Sequence, residues 1–168
     1  MDRERYHPIP IGADLLRPNN FEFVVSGHKP IQLMCKSAQF ITPVTNAVPV
    51  PWASGIMSLA GRITSAYTFT ITCIVGLESQ YNAWEDLYNW RQKVFDHESG
   101  RIALASEYKL EASLLVYDIT AENKKVELQM KGVWPSQVES VTFAVDQDGP
   151  VEVTATFYAD LVKINAFS

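Results

Sequence analysis

Cysteine is nearly absent from this chain: Cys35 and Cys73 are the only two among 168 residues. Two cysteines cannot make a disulfide scaffold. Both fall in strand-like sequence, so the expectation is a pair of buried free thiols in a protein made in a reducing cytoplasm. Histidine is as scarce, and His7, His28 and His97 are scattered without metal-ligand spacing. Basic charge is in deficit. Fourteen Lys and Arg against nineteen Asp and Glu leave a formal net charge of −5, which argues against gripping nucleic acid through a cationic face. The first twenty residues, MDRERYHPIPIGADLLRPNN, mix charge with proline and hold no apolar run, so neither a secretory leader nor a membrane span is expected. A Gly-rich phosphate loop, a nucleophile elbow and a zinc-protease motif are all missing. Glu85 and Asp86 read as the start of a helix, and Asp146 and Asp148 as a turn. No catalytic, cofactor-binding or metal-ligating residue is nominated, and no reaction is expected.

What the chain does have is apolar and aromatic content, 47% and 11%, at the level of a folded globular protein. The long run with a helical period is QYNAWEDLYNWRQKVFD, residues 80 to 96. At about 100° per residue, Tyr81, Trp84, Leu87, Tyr88, Trp90, Arg91, Val94 and Phe95 fall in an arc of roughly half the circumference. Ser79 or Asn82 supplies the N-cap, Glu85 and Asp86 suit the positive first turn, and Arg91 and Lys93 suit the negative end. So broad an arc implies burial against a sheet and against a neighbouring subunit. It makes Trp84 a core residue, whose replacement by alanine would cost about 3–5 kcal/mol.

Strand-like sequence surrounds this helix. FEFVVS (21 to 26) alternates, and IQLMCKSAQFI (31 to 41) reads as a second strand with a bend near Lys36 and Ser37. AYTFTITCIV (66 to 75) places Tyr67, Phe69, Ile71, Cys73 and Val75 on one face and Thr68, Thr70 and Thr72 on the other. Two hairpins follow the helix. Matching apolar faces sets Leu114 opposite Leu128 and Ala112 opposite Met130, with Glu111 across from Lys131 and Ser113 across from Gln129. The second hairpin turns at Asp146 to Pro150, which sets Val145 against Val151, Phe143 against Val153 and Val141 against Ala155. Its other face carries Ser140, Thr142, Glu152, Thr154 and Thr156. A hydroxyl-rich face recurring on three strands has two readings, a solvated sheet surface or a polar wall that must not hold what passes it.

Two segments stand outside this pattern. Residues 1 to 19 form an expected N-terminal arm, in which Pro8, Pro10 and Pro18 deny regular hydrogen bonding while Ile9, Ile11, Leu15 and Leu16 ask for burial. Residues 20 to 168 form the expected single domain, interrupted by an extended loop at 43 to 62. Loops of this length are uncommon and usually functional. Within it, Val44 to Val50 and Ile56 to Ala60 suit a short paired ribbon. Val44, Val48, Val50, Trp52, Ile56 and Met57 make it too apolar for a solvated excursion, so it either meets a partner or folds back on its own core.

Taken in order, the arm, FEFVV, the long Pro-containing loop, TFTITCIV, the WEDLYNWRQKVFD helix, the GVWP junction (Gly132 to Pro135) and VEVTATFYADLV resemble the tail tube proteins of contractile-tailed bacteriophages and of related contractile injection systems. The similarity spans about 20 to 164. It implies a mainly β fold, a β-barrel or two-sheet sandwich flanked by one helix at about 80 to 96. It implies subunits that form hexameric rings stacked into a hollow tube, the conduit for DNA ejection. The loop that reaches the adjacent ring maps to Val44 through Ala60. Implied partners are other copies of the chain, the sheath, baseplate and tail terminator proteins, and a tape measure protein and passing DNA in the lumen. The implied location is the virion tail, assembled in the host cytoplasm, with no membrane partner. Contact candidates are Val44, Val48, Val50, Trp52, Ile56, Met57 and Arg91. Lumen candidates are Glu111, Gln129, Glu152, Thr154 and Thr156. Two rivals remain: the tube protein of a type VI secretion system or phage-derived bacteriocin, and a soluble β-barrel whose aromatics line a ligand pocket.

Overall fold

In the computed structural model, residues 17–39, 41, 44–63 and 67–166 are described, the side chain of residue 63 excepted. The expected arm therefore lies, through residue 16, outside them. Nine strands are defined: β1 (Phe21–Val25), β2 (Cys35–Ala38), β3 (Thr45–Trp52), β4 (Gly55–Ile63), β5 (Tyr67–Ile74), β6 (Leu110–Tyr117), β7 (Lys124–Val138), β8 (Glu152–Ala159) and β9 (Leu161–Ala166). Helices α1 (Lys29–Met34), α2 (Ala83–Val94) and α3 (Ala105–Tyr108) join them. Seven strands make one sheet in the order β1-β6-β7-β8-β5-β2, with β9 also on β7. Among the described residues, strands β3 and β4 pair only with each other.

Strand β7 is where this sheet folds. Its first half runs between β6 and β9, and its second half pairs with β8. The change comes at Gly132, whose φ of 67° lies in the left-handed region that glycine enters without strain. Ala112 pairs with Met130 but Leu110 with Val133, so one residue is bulged out and the inward positions switch from Leu128 and Met130 to Val133 and Pro135. Bulges sharpen the local twist and bend a strand. Asp160, between β8 and β9, braces the corner. Its N–H donates to the Lys131 carbonyl at 2.9 Å and its carboxylate accepts from Lys109 Nζ at 2.7 Å. A Cβ on residue 132 would stand 2.2 Å from that carboxylate.

Inside the fold the aromatics touch one another. Phe69 stacks on Phe157 at 5.3 Å, Trp90 lies 5.5 Å from Phe157, and Phe23 meets Phe69 edge-on at 6.1 Å. Ile71, Cys73, Leu114, Leu128, Met130, Val133, Val153 and Ala155 fill the space around them. The aromatics of this core are packing, not the lining of a pocket. The β6–β7 register agrees with the sequence reading at Leu114–Leu128, Ala112–Met130 and Ser113–Gln129, and Lys131 Nζ lies 3.6 Å from Glu111.

Three expectations are corrected. The strand expected over 31 to 41 begins as helix α1. Pro30 sits in its first turn, where proline's fixed φ is favourable and its missing N–H costs nothing. Alternation would have buried Leu33; the helix exposes Leu33, buries Ile31 and packs Met34 against the core. The bend at Lys36 does occur, as a shift between Cys35 and Ser37. In the second hairpin, β7 stops at Val138, which takes Ala155 as its partner. Residues 139 to 151 form a loop, so Phe143 (71% exposed) and Val145 face solvent instead of Val153 and Val151. The third correction is the width of the helix face. Asn82 caps α2 by accepting from the Glu85 N–H at 3.1 Å, and the buried stripe is Ala83, Leu87, Trp90 and Val94. Trp84 is 37% exposed, touching Phe143 with ring centres 6.5 Å apart, and Tyr81 and Tyr88 are exposed beside it.

Candidate functional site: the assembly surfaces

The outstanding feature of the surface is the β3–β4 ribbon. It is the paired ribbon expected from the long loop, extended to Thr45–Trp52 and Gly55–Ile63. Residues directly opposite on antiparallel strands share a face. One face therefore carries Val48 with Leu59, Val50 with Met57, and Trp52; the other carries Ala47 with Ala60, Pro49 with Ser58, and Pro51 with Ile56. The first face is continuously apolar, yet Val48, Leu59, Met57 and Trp52 (70% exposed) all meet solvent. Among the described residues, neither strand packs appreciably on any other element. A lone two-stranded ribbon is marginal in water. Pro49 and Pro51 have no N–H, so the ladder to β4 runs through Val48, Val50 and Trp52, and the outer edge of β3 lacks two donors. Prolines so placed block the addition of another strand to that edge. The ribbon thus presents an apolar face to solvent.

Of the other contact candidates, Val44 is exposed just ahead of β3, and Ile56 (77% exposed) is on the ribbon's opposite face. Arg91 lies elsewhere. It is half-buried and its Nε donates to the Ser136 carbonyl at 3.2 Å, tying α2 to β7 within the chain. The lumen candidates fall in two separate patches. Glu111 and Gln129 face outward on β6 and the first half of β7, with Lys131 and Lys163 beside them. Glu152, Thr154 and Thr156 are on β8, where β5 aligns Thr70 with Thr156 and Thr72 with Thr154. The Thr72 and Thr154 hydroxyls are 3.1 Å apart, Ser37 of β2 and Gln137 of β7 flank them, and Lys36 pairs with Glu152 at 2.5 Å. The hydroxyl-bearing strands thus merge into one nearly uncharged surface.

The sequence reading gave no role to His28. It is buried, stacks on Trp90 with ring centres 4.4 Å apart, and shares a hydrogen bond between Nδ1 and Asp86 Oδ1 at 2.9 Å. Asp86, read as a helix-dipole residue, therefore also locks α2 to the β1–α1 turn. The Pro after Lys29 was the available signal for that turn. The depression framed by the 141–152 loop, about 670 Å³, is open to solvent and holds none of the core aromatics.

A sheet folded about one long strand, closed by one principal helix and carrying an outstretched ribbon is the fold of tube and tube-terminating proteins of contractile injection systems. Among solved structures, the chain is similar to one from the anti-feeding prophage cap, described as that particle's tube-terminating cap. The TM-score is 0.70 at 16% identity, over 99% of this chain and 97% of that one. It is equally similar to a chain of the sheath–tube complex of the PVC extracellular contractile injection system, with TM-score 0.70 and 12% identity over 91% and 93% of the two chains. The sheath/tube terminator of the same system gives 0.69 and 13% over 97% and 100%. No protein-family model matches the chain, and no curated protein matches its sequence. These neighbours are parts of contractile injection particles, and the fold they share with this chain agrees with the resemblance read from the sequence.

Proposed function

We propose that this chain is the tube subunit of a contractile tail: six copies form a ring, rings stack, and the lumen passes the cargo. The observation that carries this reading is the β3–β4 ribbon, whose apolar face is left uncovered by the described residues. A surface of that kind on an extended arm suits reaching an adjacent ring. The finer reading, a phage conduit for DNA, is supported by a net charge of −5 per chain and by the neutral hydroxyl face of β5 and β8. Like net charge, and the pairing of Lys36 with Glu152 on that face, keep phosphates from being held. In this reading the sheath, baseplate and terminator are partners on the outside and at the ends, and assembly takes place in the host cytoplasm.

A second reading is the terminator ring that ends such a tube. It is favoured by the near end-to-end overlap with the cap and terminator chains. Electron microscopy of the purified chain separates the two. Stacked tubes of indefinite length support the subunit; single rings that bind only the ends of preformed tubes support the terminator; a monomer at high concentration removes both.

A further inference from the structure

We propose that Cys35 and Cys73 close into a reversible cross-strand disulfide when the folded chain meets a low-molecular-weight disulfide oxidant, fastening edge strand β2 to β5. The two are direct partners in the antiparallel β2–β5 register. Residues so opposed have Cα atoms about 4.5 or 5.5 Å apart, and both spacings lie within the roughly 4.4–6.8 Å that a disulfide spans. Their side chains leave the same face of the sheet. Cys73 is fully buried, while Cys35 is partly exposed at the end of α1, so an oxidant reaches the pair from one side only.

The two thiols are also chemically unequal. A hydrogen bond from Cys73 holds the Cys35 thiol below the usual thiol range, aided by one with Ser37. The same hydrogen bond, followed by burial, pushes the Cys73 thiol up. Cys35 is therefore the attacking thiolate. It displaces one half of the oxidant R–S–S–R as R–S⁻, which takes a proton, and becomes the mixed disulfide Cys35–S–S–R. With the Cys35 charge gone, the main restraint on ionising Cys73 is gone as well. Cys73 loses its proton, attacks the Cys35 sulfur and expels the second R–S⁻. Two S–H bonds are lost and one S–S bond is formed; the oxidant carries away both electrons and both protons as two R–SH.

The position gives the bond a consequence. β2 has four residues, a shifted register and, among the described residues, one sheet neighbour, β5, and the ribbon follows it in the chain from Thr45. A bond at Cys35 fastens β2 to β5 at the start of that strand. The inference is independent of the tube reading, because it concerns the chain's own two thiols.

The test treats the native wild-type chain with oxidised glutathione, quenches it with an alkylating agent under denaturing conditions, and measures intact mass and a non-reduced digest. The expected result is loss of both free thiols, a mass lower by two hydrogen atoms, and one peptide pair joining Cys35 to Cys73, all reversed by dithiothreitol. Amide exchange at Lys36–Ala38 should slow in the oxidised form. Two thiols still free, a stable glutathione adduct on Cys35 beside a free Cys73, or links only between chains would each overturn it. Cys73→Ser should stop at the Cys35 adduct, and Cys35→Ser should leave Cys73 unmodified in the folded protein. Should either variant fail to fold, the wild-type mass measurement decides alone.

Discussion

At the scale of single residues, two tryptophans six positions apart on α2 make opposite predictions. Trp90 is buried against His28 and Phe157, and its Nε1–H donates to the Tyr108 carbonyl at 2.8 Å. Trp90→Ala should cost about 3–5 kcal/mol, as large-to-small changes in a core do. Trp84 is partly exposed and its ring pairs with that of the exposed Phe143, so Trp84→Ala should cost about 1 kcal/mol or less. Urea denaturation of the two variants checks the difference; equal midpoints would mean the helix is rotated from the orientation described. Asp118 makes a prediction in pH. Hydrogen bonds from Thr120 and then Asn123 hold its carboxyl at about 2, against an ordinary 3.8. A depressed folded-state value adds stability that is complete above the ordinary value and is lost as pH falls through about 2. Asp118→Asn should therefore lower the melting temperature at neutrality and flatten the stability profile below about pH 4, so that variant and wild type converge as pH falls toward about 2, as thermal melts across that range would show. Gly132→Ala combines a left-handed φ with a collision against Asp160. It should destabilise by at least about 1–3 kcal/mol, and restoring glycine at 132 should fully recover the melting temperature.

At the scale of elements, what the sequence disclosed depended on whether the partner was local. The β6–β7 register could be read because both strands alternate and a short loop joins them, so apolar faces had one consistent match. The merging of the Thr70, Thr72, Thr154 and Thr156 hydroxyls could not, because β5 and β8 are far apart in sequence and no local pattern pairs them. For the same reason the lumen candidates scatter over two patches. Helix α1 hid behind the chance alternation of Ile31, Leu33 and Cys35, and the alternation of Val141, Phe143 and Val145 suggested a strand that leaves the sheet instead. The ribbon was legible from its prolines and apolar residues, but its two faces were not. The register now assigns them and sharpens the test. Val48→Ser, Val50→Ser and Met57→Ser together remove side chains worth on the order of 1–2 kcal/mol each when a half-exposed face is buried. Assembly should fall at least about a hundred-fold, since ~1.4 kcal/mol is tenfold, with the melting temperature of the chain little changed. Ile56→Ser, on the opposite face, should assemble far better than the triple variant. Sedimentation of both variants against wild type reads the outcome, and equal losses would mean that the ribbon docks by both faces.

For the whole molecule, the balance of apolar and electrostatic terms gives assembly a definite salt dependence. Each chain carries a net charge of −5, so six copies at −5 each bring about −30 into one proposed ring, and stacking adds ring to like-charged ring. Repulsion of this kind is long-ranged and is screened within ~10 Å at 0.1 M salt. The surface proposed to dock, Val48, Val50, Trp52, Met57 and Leu59, is uncharged, and burial of apolar area is not weakened by moderate salt. Raising ionic strength from a few millimolar to physiological values should therefore move the chain from small species toward rings and tubes, and lower the concentration at which they appear. Light scattering across a salt series at fixed protein concentration checks this, with electron micrographs at the two ends. Tubes that dissolve on adding salt would show that charged contacts, not the ribbon's apolar face, join the subunits.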